Sequence, residues 1–381
     1  MRNIRIGSLL GIPILVNPGW FILFGLTTFL FATEVYPAEV KDAGNATLYT
    51  MAAASVLLFF ASIVLHELAH SAVARLYSIP VRSITLFIFG GVSQITREAS
   101  RPLHELLMAI VGPLTSFALG ALFFAIWFFA GLDQSRPIPV VILELAVVNV
   151  VLGAFNLIPA FPMDGGRVFR ALIWLITGSY HRATSVASWA GRGIAWLMML
   201  GGGLTLLGVV APLGGDQVGG FWLILIGLFL ENAARTSLLQ NRLVQVLKRY
   251  SAGDLMLADP PVVELDMSVA SLARGVLELN PRVCYFVEES GRLAGILSSY
   301  QMRAIPEALW DSTTAGQAMI PRDRLRATAP ESNVSEILLQ MESENLTHMP
   351  VVTDGRVVGV IGRDRIIGAL RQAGLLGPAP A

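Results

Sequence analysis

Within a long apolar stretch the order Ser62-Ile63-Val64-Leu65-His66-Glu67-Leu68-Ala69-His70 sets three ionisable side chains inside five residues. On a helix of 3.6 residues per turn, His66 and His70 fall one turn apart on the same face. Two imidazoles so placed can share one Zn²⁺, and Glu67 beside them can take a proton from water that the metal activates. That combination is hydrolytic chemistry. From the chain's own 5 His and 16 Glu, chance yields roughly 0.003 matches to the pattern. The competing reading is a set of buried polar residues hydrogen-bonded between helices. Each such group costs about 2.5–3.5 kcal/mol at the bilayer centre, and a divalent metal supplies the compensation that three of them need.

A catalytic zinc takes three protein ligands and keeps a position open for water. The best third candidate is Asp164, in Asn156-Leu157-Ile158-Pro159-Ala160-Phe161-Pro162-Met163-Asp164-Gly165-Gly166-Arg167. Pro159 and Pro162 remove backbone donors and interrupt a helix. A broken segment at membrane depth is tolerated where it lines protein or a water-filled cavity. Gly165 and Gly166 let backbones approach closely. Asp164 is therefore expected as the third ligand, and Asn156 as a donor to a carbonyl oxygen or developing oxyanion. Read alone, the segment also fits a loop whose Asp caps the next helix, a position that residue favours.

The elements that must hold these residues follow from composition. Hydrophobic residues make up 54% of the 381, charged residues 14%, and the net charge is zero. Soluble domains carry about 25% charged residues, and disorder needs low hydrophobicity with high net charge. No basic surplus exists for nucleic acid, which is not expected as a partner. Residues 1–240 hold 24 charged side chains, or 10%, and residues 241–381 hold 30, or 21%. The chain thus divides into an apolar body over 1–240 and a tail of soluble composition over 250–372. Cys284 is the only cysteine, which excludes an internal disulfide and a cysteine-based zinc site.

A helix needs about 20 apolar residues to span a bilayer. Six spans are expected, at 14–33, 49–76, 103–131, 138–158, 192–211 and 219–234, the last being short. With the N-terminus inside, Arg2, Arg5, Arg75, Arg82, Arg97, Arg101, Arg167, Arg170, Arg182, Arg235, Arg242, Lys248 and Arg249 lie on inner segments, against Lys41 and Arg136 outside. This asymmetry follows the positive-inside rule and puts both termini in the cytoplasm. Arg75 lies nine residues beyond His66, about 13 Å along a helix, so the metal site sits below the cytoplasmic surface. Water must reach it through a polar channel. His104 and Glu105, at the start of the third span, are expected at the interface.

The two motifs together resemble the site-2 protease family of intramembrane zinc metalloproteases. Asn17-Pro18-Gly19-Trp20, Phe89-Gly90-Gly91-Val92, and Gly112-Pro113 with Ser116 are further similar segments. The resemblance covers residues 1–240. It implies an all-α polytopic membrane domain that hydrolyses peptide bonds in or near the transmembrane helix of a substrate. It also implies that His66, His70 and Asp164 are zinc ligands, Glu67 the catalytic base and Asn156 the substrate or oxyanion contact. A single-span regulator such as a membrane-bound anti-sigma factor is the partner it suggests, in the plasma membrane. Because a helical substrate hides its carbonyls, it must unwind. Residues 84–95 are rich in β-formers and broken by a glycine pair. They are expected as a small membrane-level strand or hairpin that clamps an extended substrate by strand addition. A core-packing re-entrant segment has the same composition.

In the tail, Ser290-Gly291-Arg292-Leu293-Ala294-Gly295-Ile296-Leu297 matches Asp354-Gly355-Arg356-Val357-Val358-Gly359-Val360-Ile361 at an offset of 64. Each copy has a helical pattern upstream (268–279 and 333–344), then strand, turn, strand and helix. This resembles a tandem pair of cystathionine-β-synthase-type (CBS) repeats, about 250–306 and 314–372, folding as one α/β module. The resemblance implies a regulatory module, an adenine nucleotide between the repeats, or a homodimer formed through the pair. The sequence departs from the nucleotide-binding pattern: the first repeat has Ser298 but Gln301, and the second has Gly362 and Arg365 with Asp364 one place early. The ribose-binding residues of that pattern are thus not matched in full, and dimerisation or a purely structural role stays open. A CBS-regulated transporter or channel is the competing function, but it leaves the histidine motif and Asp164 unexplained.

Overall fold

The computed structural model describes residues 3–41, 43–87, 90–95, 99–130, 136–209, 217–276, 284–290, 292–344, 346–353 and 356–375. Arg2, Phe89, Arg97, Gly291, Asp354, Gly355 and residues 210–211 and 277–279, all part of the expectations above, lie outside them. The chain separates into two compact units, Met1–Leu238 and Leu239–Ala381.

The first unit opens with two strands that the sequence reading did not expect, β1 (Ile4–Leu9) and β2 (Ile12–Val16). Helix α1 (Gly19–Glu39) follows, with a π turn at Phe31–Val35. Helix α2 (Asn45–Leu76) carries the histidine motif. Next come β3 (Val81–Phe87) and β4 (Gly90–Ile95), then α3 (Pro102–Phe129), α4 (Pro137–Asn156), α5 (Asp164–Thr177), α6 (Tyr180–Leu206) and α7 (Gln217–Leu247). The unit boundary falls inside α7.

Among the described residues, α1, α2, α3, α4 and residues Gly219–Leu247 of α7 are long and apolar enough to cross a membrane. Four of them overlap the first four expected spans, and the fifth extends the short span that begins at 219. The expected span 192–211 falls in α6, which does not meet the same threshold. Its first half carries His181, Arg182 and Arg192, which dilute its hydropathy. Arg192 is paired within the unit, its guanidinium 2.8 Å from Glu231 of α7 and stacked over Trp189 and Trp196. The first span begins later than expected because Asn17 and Pro18 separate β2 from α1. Asn17 Oδ1 accepts from the Gly19 N–H at 3.0 Å, turning the chain into the helix.

The four strands form one sheet in the order β1-β2-β3-β4. The β2–β3 pair is parallel, and both outer pairs are antiparallel. In β2 the period-two alternation buries Ile12, Ile14 and Val16. Val16 and Leu86 meet Trp20, Val56, Phe60 and Ile63 in one core, which seats the sheet against α1 and α2. Many large side chains stay exposed on the helices, such as Ile22, Leu57, Phe129 and Leu197, as a lipid-facing surface requires.

The second unit has two sheets. One orders β6 (Val262–Glu264), β7 (Cys284–Glu289), β8 (Arg292–Ser298) and β9 (Ile320–Pro321); the other orders β10 (His348–Thr353), β11 (Arg356–Gly362) and β5 (Leu257–Ala258). Each repeat thus lends its leading strand to the other repeat's sheet: β5 pairs with β11, and β9 pairs with β8. The matched glycines of the repeat lie at these crossings. A Cβ on Gly295 would strike the Ile320 carbonyl and come within 2.6 Å of Met319 Sδ. One on Gly359 would lie 2.7 Å from the Leu257 carbonyl and 2.8 Å from Met256 Sδ. A side chain at either position would push the exchanged strand away.

Candidate metal centre

Helix α2 buries His66 and His70 on one face, and α5 begins at Asp164, directly after the proline-interrupted segment 157–163. Asp164 is therefore the first residue of a helix and also reaches the histidines. Its Oδ2 lies 3.1 Å from His66 Nε2 and 3.0 Å from His70 Nε2, and the two Nε2 atoms are 3.2 Å apart. Among the described residues this is the only group of three His, Cys, Asp or Glu side chains arranged to hold a metal.

The chemistry of this set can be read from the atoms behind it. His70 Nδ1 lies 2.5 Å from the Met108 carbonyl. A carbonyl only accepts, so Nδ1 carries the hydrogen and a neutral His70 ring turns its Nε2 lone pair inward. His66 Nδ1 lies 2.9 Å from Ser116 Oγ, which can accept in the same way. Two lone pairs and a carboxylate oxygen then converge with no protein donor between them, an arrangement that a cation relieves. Zinc bonds of about 2.0–2.1 Å in tetrahedral geometry set ligand atoms about 3.3–3.4 Å apart, close to the separations found. The residues fit the metal.

Position Gly112 makes the convergence sterically feasible. A Cβ there would overlap His70 Nε2, lie 2.5 Å from His70 Cε1 and lie 2.7 Å from His66 Nε2. Met108, Gly112 and Ser116 sit at successive turns of α3, so one helix face supports His70, makes room for both rings and supports His66. That i, i+4, i+8 spacing in an apolar helix was the available signal for the two supporting contacts. On the other side Gly165 packs against the Leu157 and Ile158 carbonyls, and Gly166 against the Ala160 carbonyl carbon, where a Cβ would fall within 2.7 Å. The glycine pair thus lets α5 close onto the interrupted segment.

Glu67 and Asn156 share a cavity of about 410 Å³ with His66, Asp164, Gly90, Gly91, Val92 and Pro162. Glu67 Oε2 accepts from the Ser93 N–H at 3.0 Å and from the Ser93 hydroxyl at 2.6 Å. Asn156 reaches the wall from the last turn of α4, where its Nδ2 donates to the Leu152 carbonyl at 3.0 Å. Nothing in the local sequence marked Ser93, because its partner lies 26 residues away. Glu105 does not face outward. It is buried and paired with Arg170 of α5, with Nε–Oε1 2.8 Å, and the guanidinium lies over the Phe161 and Tyr180 rings. His104 stacks on Tyr77 at 3.9 Å between ring centroids.

In the second unit a cavity of about 640 Å³ is lined by residues of both repeats, among them Asp254, Cys284, His348, Gly362, Asp364 and Arg365. Burial depresses the His348 pKa below its ordinary value, with Asp364 acting in the opposite direction. Burial also pushes the Cys284 thiol up to about 12. Ser298 donates through its hydroxyl and its N–H to Gln301 Oε1, the latter at 2.8 Å, so the two polar residues of the first repeat satisfy each other.

The profile of Peptidase family M50 matches residues 54–140 and 134–200, and that of the CBS domain matches residues 318–372. A Synechocystis protein provisionally named zinc metalloprotease sll0528 is 32% identical over 98% of this chain and 96% of its own length. The Mycobacterium tuberculosis protein provisionally named zinc metalloprotease Rip3 is 31% identical over 95% of this chain and 91% of its own. The solved site-2 protease from Methanocaldococcus jannaschii aligns with 62% of this chain and 95% of its own at 31% identity, with a TM-score of 0.42.

Proposed function

Since the chain belongs to Peptidase family M50, as an intramembrane zinc endopeptidase with a CBS module, we propose that His66, His70 and Asp164 hold its zinc, with Glu67 as catalytic base. The observation that carries this reading is the approach of three acceptor atoms to within 3.0–3.2 Å beside a carboxylate in one cavity. Zinc, when bound there, supplies Lewis-acid polarisation of the scissile carbonyl and lowers the pKa of its water. The Met108 carbonyl and Ser116 fix the ring orientations. Glu67 removes a proton from the attacking water and returns it to the leaving amine. Asn156 offers its amide to the carbonyl oxygen of the bound peptide. Strand β4, at the end of the sheet and on the cavity wall, receives the unwound substrate by strand addition.

The substrate is a single-span membrane protein, an anti-sigma factor being one candidate. The arginine distribution supports a plasma-membrane protein with both termini in the cytoplasm. In that topology α6, 27 residues or about 40 Å long, supplies the sixth crossing. The tail serves regulation or homodimerisation. An adenine nucleotide would have to be held from the Asp364 and Arg365 side, because Ser298 and Gln301 are mutually satisfied. Cleavage of a labelled panel of single-span substrates by purified protein, with and without Glu67→Gln, tests the reading. Cleavage by both forms alike would sink the role of Glu67. Zinc analysis of His66→Ala tests the ligand assignment separately.

A further inference from the structure

Strand β4 stands last in its sheet, paired with β3 through Phe87↔Gly90, Leu86↔Gly91, Thr85↔Val92 and Ile84↔Ser93. Among the described residues its other edge carries no strand. Residues 91, 93 and 95 are half-buried while Val92 and Gln94 are exposed, so Gly91 and Ser93 face the protein together. Gly91 brings the strand against α2, since a Cβ there would lie 2.8 Å from Glu67 Cγ and 3.0 Å from Ile63 Cγ2. Two residues on, Ser93 brings both of its donors to Glu67 Oε2, at 3.0 Å from the backbone N–H and 2.6 Å from the hydroxyl, while the hydroxyl also lies 3.2 Å from the Glu67 carbonyl oxygen. The second nearby hydroxyl, Ser71 Oγ, donates to the Glu67 carbonyl at 2.9 Å and lies 3.2 Å from Ser93 Oγ. The carboxylate is the nearer acceptor for the single Ser93 hydroxyl proton, by 2.6 against 3.2 Å, and the carbonyl already accepts from Ser71.

The two carboxylate oxygens are therefore unequal. Oε2 is held by two donors, and Oε1 has none among the described residues. Hydrogen bonds to one oxygen lower its basicity and fix the plane of the group. Oε1 is left as the proton acceptor. Resting on the assignment of Glu67 as base, we propose that Ser93 is a positioning residue that selects Oε1 as the basic oxygen and ties its orientation to strand β4. Proton transfer runs from the attacking water to Oε1 and from Oε1 to the leaving amine nitrogen, and Ser93 neither gains nor loses a proton. Because β4 also offers the edge to which substrate adds, the backbone that receives the substrate is the backbone that aims the base. A substrate that fails to pair along β4 would then be cut slowly for two reasons, poor binding and a poorly aimed base.

The experiment compares wild type, Ser93→Ala, Ser93→Thr and Glu67→Gln as full-length protein in detergent, measuring kcat, KM and zinc content on one single-span substrate. Ser93→Ala removes one charge-assisted hydrogen bond but keeps the backbone donor, and should lower kcat about ten-fold. KM should stay within about two-fold and zinc should remain at the wild-type level, because neither the strand edge nor a ligand is altered. Ser93→Thr retains the hydroxyl and should restore most of kcat. A Ser93→Ala enzyme with wild-type kcat would overturn the proposal, as would a loss that follows zinc content or a Thr variant no better than Ala. Cleavage by Glu67→Gln would instead overturn the assignment of the base itself. An inactive Glu67→Gln beside a fully active Ser93→Ala would refute only the role of Ser93.

Discussion

Replacing Gly112 with alanine should separate zinc binding from folding. The added methyl would sit 2.7 Å from His66 Nε2 and 2.5 Å from His70 Cε1, and would overlap His70 Nε2. Real Cβ contacts below 3.0 Å are essentially absent, so at least one ring must move by several tenths of an ångström. Neither ring can retreat freely, because Met108 and Ser116 hold them from behind at 2.5 and 2.9 Å. A metal site tolerates about 0.2 Å of error in its bonds, so a shift of this size takes one of the proposed ligands out of range. Loss of a supporting contact costs about 10–100-fold in metal affinity. Displacing a ligand itself should cost at least about 100-fold, or about 2.8 kcal/mol at 1.4 kcal/mol per decade. Chelator competition on the purified protein reads this directly. Gly120→Ala is the control: two turns along α3, its Cβ would meet Val150 Cγ2 at 2.8 Å and no ligand. It should lower thermal stability while leaving zinc affinity intact. Wild-type zinc affinity in Gly112→Ala, or equal losses in both variants, would refute the argument.

Ser116→Ala should weaken zinc binding about 10–100-fold through loss of the partner of His66 Nδ1, measured by the same competition. Glu105→Gln leaves the half-buried Arg170 guanidinium without its buried counter-charge, and breaking a fully buried pair costs about 3–5 kcal/mol, an upper bound here. Because that pair joins α3 to α5, the variant should show both a lower melting temperature and reduced zinc occupancy. For the second unit the pH dependence has a definite sign. The His348 pKa is depressed by burial in the folded state, so the folded form binds fewer protons than the unfolded one. Its contribution is present above the unfolded value of about 6.5 and is lost as pH falls through the lower folded value. The unfolding transition of this unit in the full-length protein should move to lower temperature on acidification below about pH 6.5, and His348→Gln should flatten that slope.

The contrast between what could and could not be read in advance follows sequence separation. His66, Glu67 and His70 fix their own relative geometry because a helix repeats over four residues. The prolines and glycines around Asp164 signal a local break, and their chemistry points to the same metal. The contacts that aim these groups come from afar. Ser93 lies 26 residues from Glu67 and Ser116 lies 50 from His66, so no local spacing ties either to its partner, and only the Met108, Gly112, Ser116 spacing within α3 hinted at the second. Strands β1 and β2 escaped notice because Ile12–Val16 is apolar and merges by composition with the helix after Pro18. The helix begins only at Gly19. In the tail the repeat was visible, yet the exchange of β5 and β9 was not, since two-residue strands are too short to show alternation. The repeat did carry a trace of it in Gly295 and Gly359, each required where a carbonyl of the exchanged strand passes. The same reasoning applies at Gly91 and Gly112, where the absence of a side chain marks the approach of Glu67 and of the two histidines. In this chain the glycines at close approaches record tertiary contacts that the polar residues alone do not disclose.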